Sequence, residues 1–480
     1  MASDVLVVGF DLDMTLIDSR PGIAAVWDAV SARTGVPIDS ELVVSRLGPP
    51  LEHEAAHWFP PEQVAGAVAL YRELYPDLAV EAAELMPGAA EAIAAVRRHG
   101  GRVLVVTAKN QPHAKLHLDY LGLEVDEVIG GVWAEQKGEV LREHAATIYV
   151  GDHLGDVLGA RAAGAFALGV ASGPIPAEEL RAGGADVVLA DLADFPYWLD
   201  EHVLEGRLAA LDAGLAELGS VMVAFSGGAD SAFVLAAAVR ALGADNVAAA
   251  TAISPSLPDA ELAPAREFAE SLGVRHFTPH TDEMAREGYR ANAGDRCYFC
   301  KAELLDVLTP VAGELGILHV ATGTNADDAR AGFRPGIRAA SERGAVTPLK
   351  DAGFTKEQIR EVSRRWGLPT WDKPAAACLS SRIAYGITVT PARLARVEHA
   401  EVALRAVLTE AGMVVRNLRV RDLGDTARIE VDSDIAAAVA ELEEVVEAVL
   451  AAGFEVAEVD PRGFRSGAMN ELLRDPERYR

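Results

Sequence analysis

Short, nearly uninterrupted apolar runs alternate along the chain with longer Ala- and Leu-rich stretches whose apolar positions recur every three or four residues. Strands covered on both faces read as continuous apolar runs, and helices carry the 3.6-residue period. The alternation therefore predicts parallel sheets flanked by helices, an α/β fold class. One series of strands is expected at 5–10, 103–106, 148–150 and 167–170. A second begins at 221–225 and continues at 247–251, 276–278 and 319–322. Between the two series Leu204, Leu208, Leu211, Leu215 and Leu218 mark an amphipathic helix over 200–219, with a domain boundary near its start. Near residue 390 the pattern changes to a helix, an alternating stretch at 414–431 expected as a hairpin, an acidic helix and a last strand at 454–459. That order predicts a small α+β domain. No repeat of fixed period and no low-complexity tract interrupts the chain.

With 480 residues the chain is too long for one core, and about 100–200 residues per domain suggests three units. Half the residues are hydrophobic and 24% are charged, which is globular composition. The net charge of −28 opposes non-specific binding to nucleic acid or anionic membranes. Residues 1–200 hold 13 basic and 30 acidic side chains, whereas 201–480 hold 31 and 42, so the second part is better able to build a cationic pocket. The three cysteines all lie between 297 and 378, which points to one local site rather than a disulfide framework. The start of the chain has no basic leader region, and no run of about 18 apolar residues occurs. A cytoplasmic enzyme without membrane partners is expected.

The first strand runs into Asp11-Leu12-Asp13-Met14-Thr15. Two carboxylates one residue apart at a strand end point the same way, so Asp11 can attack phosphorus while Asp13 protonates the leaving oxygen. The second strand ends at Thr107, whose hydroxyl can hold a phosphoryl oxygen, and Lys137 can neutralise nucleophile and phosphate. Gly151-Asp152-His153-Leu154-Gly155-Asp156 follows another strand and offers Asp152 and Asp156 to a magnesium ion, with Asp11 and Asp13 nearby. In this order the four elements resemble the haloacid dehalogenase (HAD) hydrolase superfamily over 1–195. The resemblance implies a Rossmann-like domain, with Asp11 as nucleophile, Asp13 as acid/base, Thr107 and Lys137 as phosphate ligands and Asp152 with Asp156 on magnesium. The helical insertion near 16–86 and Thr107-Ala108-Lys109 look like the cap and second motif of phosphoglycolate-phosphatase-like members.

The strand at 221–225 runs into Ser226-Gly227-Gly228-Ala229-Asp230-Ser231, followed by a helix expected over 233–242. Glycines admit phosphate close to the backbone, and the helix N-terminus presents free N–H groups. Ser226 and Ser231 add hydroxyls. No GK[ST] ending follows, so γ-phosphate transfer is not indicated. The motif resembles the PP-loop ATP-pyrophosphatases, which adenylate a substrate oxygen and release pyrophosphate; the resemblance implies that Asp230 acts with magnesium.

Cys297 and Cys300 form a CxxC, and Cys378 follows Lys373-Pro374-Ala375-Ala376-Ala377. Three thiolates fall short of a closed zinc site and suit a [4Fe–4S] cluster with one open iron, while redox-active, zinc-bound or buried cysteines are alternatives. Arg296, Lys301 and Arg382 flank the cysteines and are expected to favour thiolates. From about 203 to 470 the chain resembles the LarE-type sulfur transferases. The matching stretches are the SGGxDS loop, 295–301, 322–328, 334–336, 347–349, 371–382 and 465–470. The resemblance implies a PP-loop domain over 203–389 and a small α+β domain over 390–480. It also implies insertion of sulfur into a pyridinium dicarboxylate mononucleotide, toward the nickel-pincer nucleotide cofactor. Sulfur comes either from a single cysteine matching Cys378, which is consumed, or from a three-cysteine [4Fe–4S] cluster. All three positions are present here, so the cluster form is expected.

Arg416, Arg419, Arg421 and Arg428 cluster in the alternating segment beside Glu430. Alternation puts Arg419 and Arg421 on one strand face, where with Arg428 they could hold a substrate's phosphate and carboxylates. The chain reads as a fusion of two enzymes with Mg2+, ATP and a [4Fe–4S] cluster as cofactors and a small nucleotide as substrate. Homo-oligomerisation is suggested by the family. The hydrolase is expected to serve the same pathway, for instance by removing pyrophosphate. A tRNA-thiolating enzyme and a scaffold with relic motifs are the rival readings.

Overall fold

A computed structural model describes residues 6–332, 334–374, 377–465 and 469. Val5 of the first expected strand, Ala375 and Ala376 of the cysteine loop, Ser466, Gly467, Ala468 and Asn470 of the last matching stretch, and 471–480 lie outside the described residues. The chain divides into two compact units, Met1–Leu204 and Glu205–Arg480. The division falls inside a helix, Phe195–Leu218, which starts earlier than the Leu repeat suggests because Phe195 and Leu199 extend its apolar face into the first core.

The first unit is built on six parallel strands in the order Glu127–Gly130, Arg102–Thr107, Val7–Phe10, Ile148–Gly151, Phe166–Val170 and Val187–Leu189. Apart from exposed Arg102, the three at the centre are buried and largely apolar, as parallel strands with helices on both faces require. The edge strands Glu127–Gly130 and Val187–Leu189 were not expected from the sequence. Each is short and half-exposed, and the first opens on an acidic residue, so neither carries a continuous apolar signal. A two-stranded ribbon, Ile17–Asp18 with Glu84–Leu85, leads out to and back from a cap of four helices. Those helices are Arg20–Thr34, Ser40–Val44, Leu51–Trp58 and Pro61–Ala79.

The cap has its own apolar centre around Val26, Trp27, Val30, Tyr71 and Tyr75. Tyr75 also reaches the core helix Gln111–Leu121. Its ring stacks on His113 at 4.4 Å, and its hydroxyl lies 2.9 Å from His117 Nε2.

The second unit carries four parallel strands in the order Arg275–Phe277, Val247–Ala250, Val221–Ala224 and Val320–Ala321. A separate sheet pairs Leu418–Asp422 antiparallel with Thr426–Val431, and Val456–Val459 joins the latter in parallel. The hairpin begins later than expected because Arg416 and Asn417 give their amides to the Asp432 carboxylate instead of to a strand. The long helix Pro391–Glu410 covers this sheet through Leu394, Val397, Leu404 and Leu408. Asp422, fully buried at the strand end, fixes the helix to the sheet. It accepts from Arg393 at 2.8 Å and Arg396 at 2.7 Å, and its carbonyl accepts from the Ala384 amide.

Two outcomes follow. D422A removes the shared acceptor of two partly buried guanidinium groups and should cost the second unit about 2–4 kcal/mol. Native-state hydrogen exchange over 391–431 reads that loss, and a change below about 1 kcal/mol would contradict the anchoring role.

Burial lowers the pKa of both His113 and His117 to about 4, with Lys109 adding to the effect. An unfolded chain binds protons at these histidines near pH 6.5, whereas the folded one does not until about pH 4. Stability of the first unit should be fully present above pH 6.5 and fall as pH drops toward 4. H117Q should flatten that slope in a melting-temperature series.

Candidate active sites

The parallel strands of the first unit deliver their carboxyl ends to one edge. Asp11 follows Val7–Phe10, Thr107 ends Arg102–Thr107, and Asp152 follows Ile148–Gly151. Asp11, Asp152 and Asp156 are buried, and one carboxylate oxygen of each lies within 4.8 Å of the others. Lys137 is completely buried, with its ammonium 3.0 Å from Asp11 and 2.6 Å from Asp156. It also donates to the Tyr149 hydroxyl at 2.9 Å, which in turn donates to the Val106 carbonyl at 2.6 Å.

One ammonium cannot balance three buried carboxylates. Burial pushes Asp11 up to about 6, with Lys137 pulling it down and Asp156 and Asp13 pushing it further up. Asp152 is raised well above the usual carboxylate range by burial, then by Asp156 and Asp11. An all-oxygen donor set carrying excess negative charge fits a hard divalent cation such as magnesium.

Asp13 stands outside that triad. Its carboxylate accepts from Ser19 and lies 3.1 Å from the Lys109 ammonium. The structure thus gathers Asp11, Asp152 and Asp156 but points Asp13 toward the cavity beneath the cap. That cavity, about 110 Å³, is lined by Asp11, Asp13, Thr107 and Lys109 from the core and by cap residues that include Trp27, Arg46, Tyr71, Arg72 and Tyr75.

Three supporting residues were not assigned roles in the sequence reading. Thr15 donates to Asp152 at 3.0 Å, Tyr149 anchors Lys137, and Gly173 leaves the room that the Asp152 carboxylate fills. Thr15 lay within the recognised motif. Tyr149 looked like one more apolar strand residue, and Gly173 belongs to no pattern at all.

In the second unit Gly227 has φ 70° and Gly228 caps the helix Ala229–Leu242. The left-handed turn at Gly227 is open at little cost only to a residue without Cβ, and the residues around it, Ser226 and Gly228, border a cleft. The cleft has a volume of about 470 Å³ and is lined by Ser226, Gly228, Asp230, Ser231, Lys301, Lys356, Arg360 and Lys373, among others. Ser226 and Ser231 are hydrogen-bonded to each other at 3.1 Å. Asp230 accepts from Asn325 at 3.2 Å. Burial raises its pKa, Asp328 adds to the rise, and Lys356 opposes it. Lys373, upstream of Cys378, reaches back to the Gly227 carbonyl at 3.0 Å and to Glu261 at 2.6 Å.

Cys300 and Cys378 line one cavity of about 190 Å³ together with Ser226, Ser256, Glu261 and Glu283. Ser226, Ala252, Leu257 and Leu304 belong to the walls of both this cavity and the cleft. Cys297 sits one turn before Cys300 in the helix Arg296–Glu314 and is exposed. Among the described residues only the acidic triad is gathered tightly enough for a single ion.

Lys301 favours the Cys300 thiolate, but burial outweighs it. Burial, then Cys378, Glu283 and Cys297, raise the Cys300 thiol. Arg296 is spent on Asn292 and the Ser380 carbonyl, and Arg382 on Glu401 at 2.9 Å and the Cys378 carbonyl. Burial also lowers the Lys301 ammonium.

Arg419, Arg421 and Arg428 come together on the small sheet, where Arg419 is opposite Glu430 and Arg421 opposite Arg428. Glu430 takes Arg421 at 2.7 Å and Arg428 at 3.0 Å. Arg419 is drawn down to about 10 by burial, with Arg382 adding to the fall and Glu401 opposing it. Arg416 is exposed at the end of the strand. Arg421 also donates to the Ser381 carbonyl at 3.2 Å, so the arginine cluster adjoins the stretch that carries Cys378.

The sequence profile of haloacid dehalogenase-like hydrolases matches residues 8–164, and that of NAD synthase matches 211–296. An uncharacterised Synechocystis protein is 41% identical over 56% of this chain and 99% of its own length. The pyridinium-3,5-bisthiocarboxylic acid mononucleotide synthase of Lactiplantibacillus plantarum is 35% identical over 56% of this chain and 96% of its own length. A phosphoglycolate phosphatase of Yersinia pestis is 31% identical over 39% of this chain and 90% of its own length. The chain belongs to the haloacid dehalogenase-like hydrolases in its first part and to the PP-loop, LarE-type sulfur transferases in its second.

Proposed function

We propose that the second unit activates a carboxylate of a pyridinium dicarboxylate mononucleotide by adenylation and replaces the AMP with sulfur, on the route to the nickel-pincer nucleotide cofactor. The first unit is read as a magnesium-dependent phosphohydrolase. The functional boundaries in this reading are 1–195, with the cap near 16–86, then 203–389 and 390–480. A cytoplasmic homo-oligomer without nucleic-acid partners completes the picture.

The observation that carries the sulfur-transferase reading is the shared wall between the nucleotide cleft and the cavity of Cys300 and Cys378. The amides of Gly227 and Gly228 and the hydroxyls of Ser226 and Ser231 would hold the phosphates, with Asp230 beside them. The substrate carboxylate attacks the α-phosphorus and pyrophosphate departs. Sulfur then forms a bond to the acyl carbon as the bond to AMP breaks. Arg419, Arg421 and Arg428 would steady the substrate's anionic groups. Cys297, Cys300 and Cys378 would hold a [4Fe–4S] cluster, which supplies an exchangeable sulfide when bound. The second reading, with Cys378 as a consumed donor, is favoured by the exposure of Cys297 and its absence from the cavity wall.

In the first unit Asp11 attacks phosphorus, Asp13 gives its proton to the leaving oxygen, and Thr107 and Lys137 hold the phosphoryl group. Asp152 and Asp156 would hold magnesium together with Asp11, and the ion supplies charge neutralisation when bound. The phosphoglycolate phosphatase relative supports a phosphomonoester as substrate.

Anaerobically reconstituted protein, incubated with ATP, magnesium and the mononucleotide, should give a thiocarboxylate by mass spectrometry; absence of that product overturns the reading. In the cluster form both C300A and C378A abolish it. In the consumed-donor form C300A retains one turnover and Cys378 loses its sulfur. D11N should cut phosphate-ester hydrolysis by roughly a thousandfold or more. ATP–pyrophosphate exchange in D11N should stay within twofold of the unsubstituted chain.

A further inference from the structure

Asp13, which gives its proton to the leaving oxygen, has a support behind it that no step above employs; its role rests on reading the first unit as a phosphohydrolase. The Lys109 ammonium lies 3.1 Å from the Asp13 carboxylate, and the lysine side chain is only 7% exposed. On its other side the same ammonium meets the Tyr75 hydroxyl at 2.5 Å and sits 4.6 Å from the centre of the Tyr75 ring. That hydroxyl in turn lies 2.9 Å from His117 Nε2. Asp13, Lys109, Tyr75 and His117 thus form one continuous polar chain.

The donors in this chain can be assigned. An ammonium has hydrogens but no lone pair, so Lys109 donates and the Tyr75 oxygen accepts. The tyrosine proton is then left for His117, whose Nε2 must accept it. That requires a neutral imidazole with its hydrogen on Nδ1, and burial, reinforced by Lys109, keeps His117 neutral down to about pH 4. With Nε2 donating instead, both the tyrosine proton and the Nδ1 lone pair would lack partners among the described residues. The first assignment leaves only the Nδ1 hydrogen alone, and each unmade buried hydrogen bond is costly.

The ring is held as firmly as the hydroxyl. It stacks on His113 at 4.4 Å with an interplanar angle of 8°, and it meets His117 nearly at right angles at 5.6 Å. Asp13, Lys109, His113 and His117 belong to the core, whereas Tyr75 stands on the cap helix Pro61–Ala79. The support is therefore complete only with the cap lying on the core, where Tyr75 is buried.

The acid step gives this support its use. As Asp11 forms its bond to phosphorus, the bond from phosphorus to the ester oxygen breaks and the Asp13 proton passes to that oxygen. Asp13 is neutral before the step and a carboxylate after it. A cation fixed 3.1 Å away stabilises the outcome of proton transfer more than its start, and so lowers the barrier to departure of the leaving group. A lysine free to swing does this less well, because its flexible stem must be immobilised at the moment of reaction.

We propose that Tyr75 and His117 are positioning residues for the acid step: His117 fixes the direction of the Tyr75 hydroxyl, the hydroxyl holds Lys109 beside Asp13, and the proton is delivered at full rate only under a closed cap. In this role neither residue contacts the reacting atoms. An ester whose leaving oxygen is strongly basic depends on the chain. One whose leaving oxygen departs as a stable anion does not.

The test compares benzyl phosphate with 4-nitrophenyl phosphate on the full chain with magnesium. Both are single-ring monoesters, but benzyl alkoxide needs the proton and nitrophenolate leaves without it. The readout is the ratio of their kcat/KM values, since hydrolysis of phosphorylated Asp11 is common to both. Y75F keeps the ring stack and removes only the hydroxyl, and the benzyl-to-nitrophenyl ratio should fall at least fivefold. H117L should lower the ratio to within twofold of the Y75F value, and the double variant should fall no further than Y75F, because both residues act through Lys109.

H117Q retains an acceptor for the tyrosine proton and should return the ratio to within twofold of that of the unsubstituted chain. A variant that is merely less folded lowers both rates together, so the fivefold shift cannot arise from it. An unchanged ratio in Y75F overturns the proposal, and equal losses in H117L and H117Q overturn the part given to His117. If the unsubstituted chain hydrolyses neither ester, the phosphohydrolase reading itself fails, and the proposal with it.

Discussion

Parallel strands cannot be joined by tight turns, so each must be followed by a crossover, and all their carboxyl ends emerge at one edge. Both units are governed by that constraint. In the first, Asp11, Thr107 and Asp152 leave three neighbouring strands at the same edge. In the second, Ser226 and Thr322 follow the adjacent strands Val221–Ala224 and Val320–Ala321, and Thr251 follows Val247–Ala250 on the other side. Residues more than a hundred positions apart in sequence become neighbours with no special contact needed to bring them together. What remains for the side chains is fine placement, as when Thr15 fixes Asp152 and Asn325 reaches Asp230.

The two units handle buried charge in different ways. The hydrolase site concentrates carboxylates around one buried lysine and leaves a deficit of positive charge. The rise in the Asp11 and Asp152 pKa values is the direct consequence, because each carboxylate ionises beside others in a poorly solvated place. The sulfur-transferase unit distributes its charges into pairs: Arg382 with Glu401, Arg421 and Arg428 with Glu430, Lys373 with Glu261. The first arrangement asks for a cation. The second asks for an anion that competes with Glu261 or Glu430 for existing partners.

The sequence made the centre of each sheet legible because central parallel strands must be apolar on both faces. Val103–Leu104–Val105–Val106 could hardly be anything else. Edge strands such as Val187–Leu189 escaped because half of their surface is wet and the apolar signal is diluted. The same logic separates the site residues. Asp11, Asp13, Thr107, Lys137 and the SGGxDS loop announce themselves because chemistry demands rare residue types at strand ends. Tyr149 and Gly173 act through space alone, one as a hydroxyl inside an otherwise apolar strand and the other as an absent side chain. Charge pairing was only partly visible: Glu430 stood beside the arginines of 416–428 in the sequence, but that it takes both Arg421 and Arg428, and that Asp460 adds to Arg428, emerges only in the folded sheet.

A basic residue in the sequence suggests an anionic ligand only while its partner is unknown. In the cap, Arg46 gives Nε and Nη2 to the two oxygens of Glu54, a pairing that no spacing in the sequence announces. The two halves share a polypeptide and the geometry of parallel strands, while one site gathers three buried carboxylates and the other sets its arginines against Glu430.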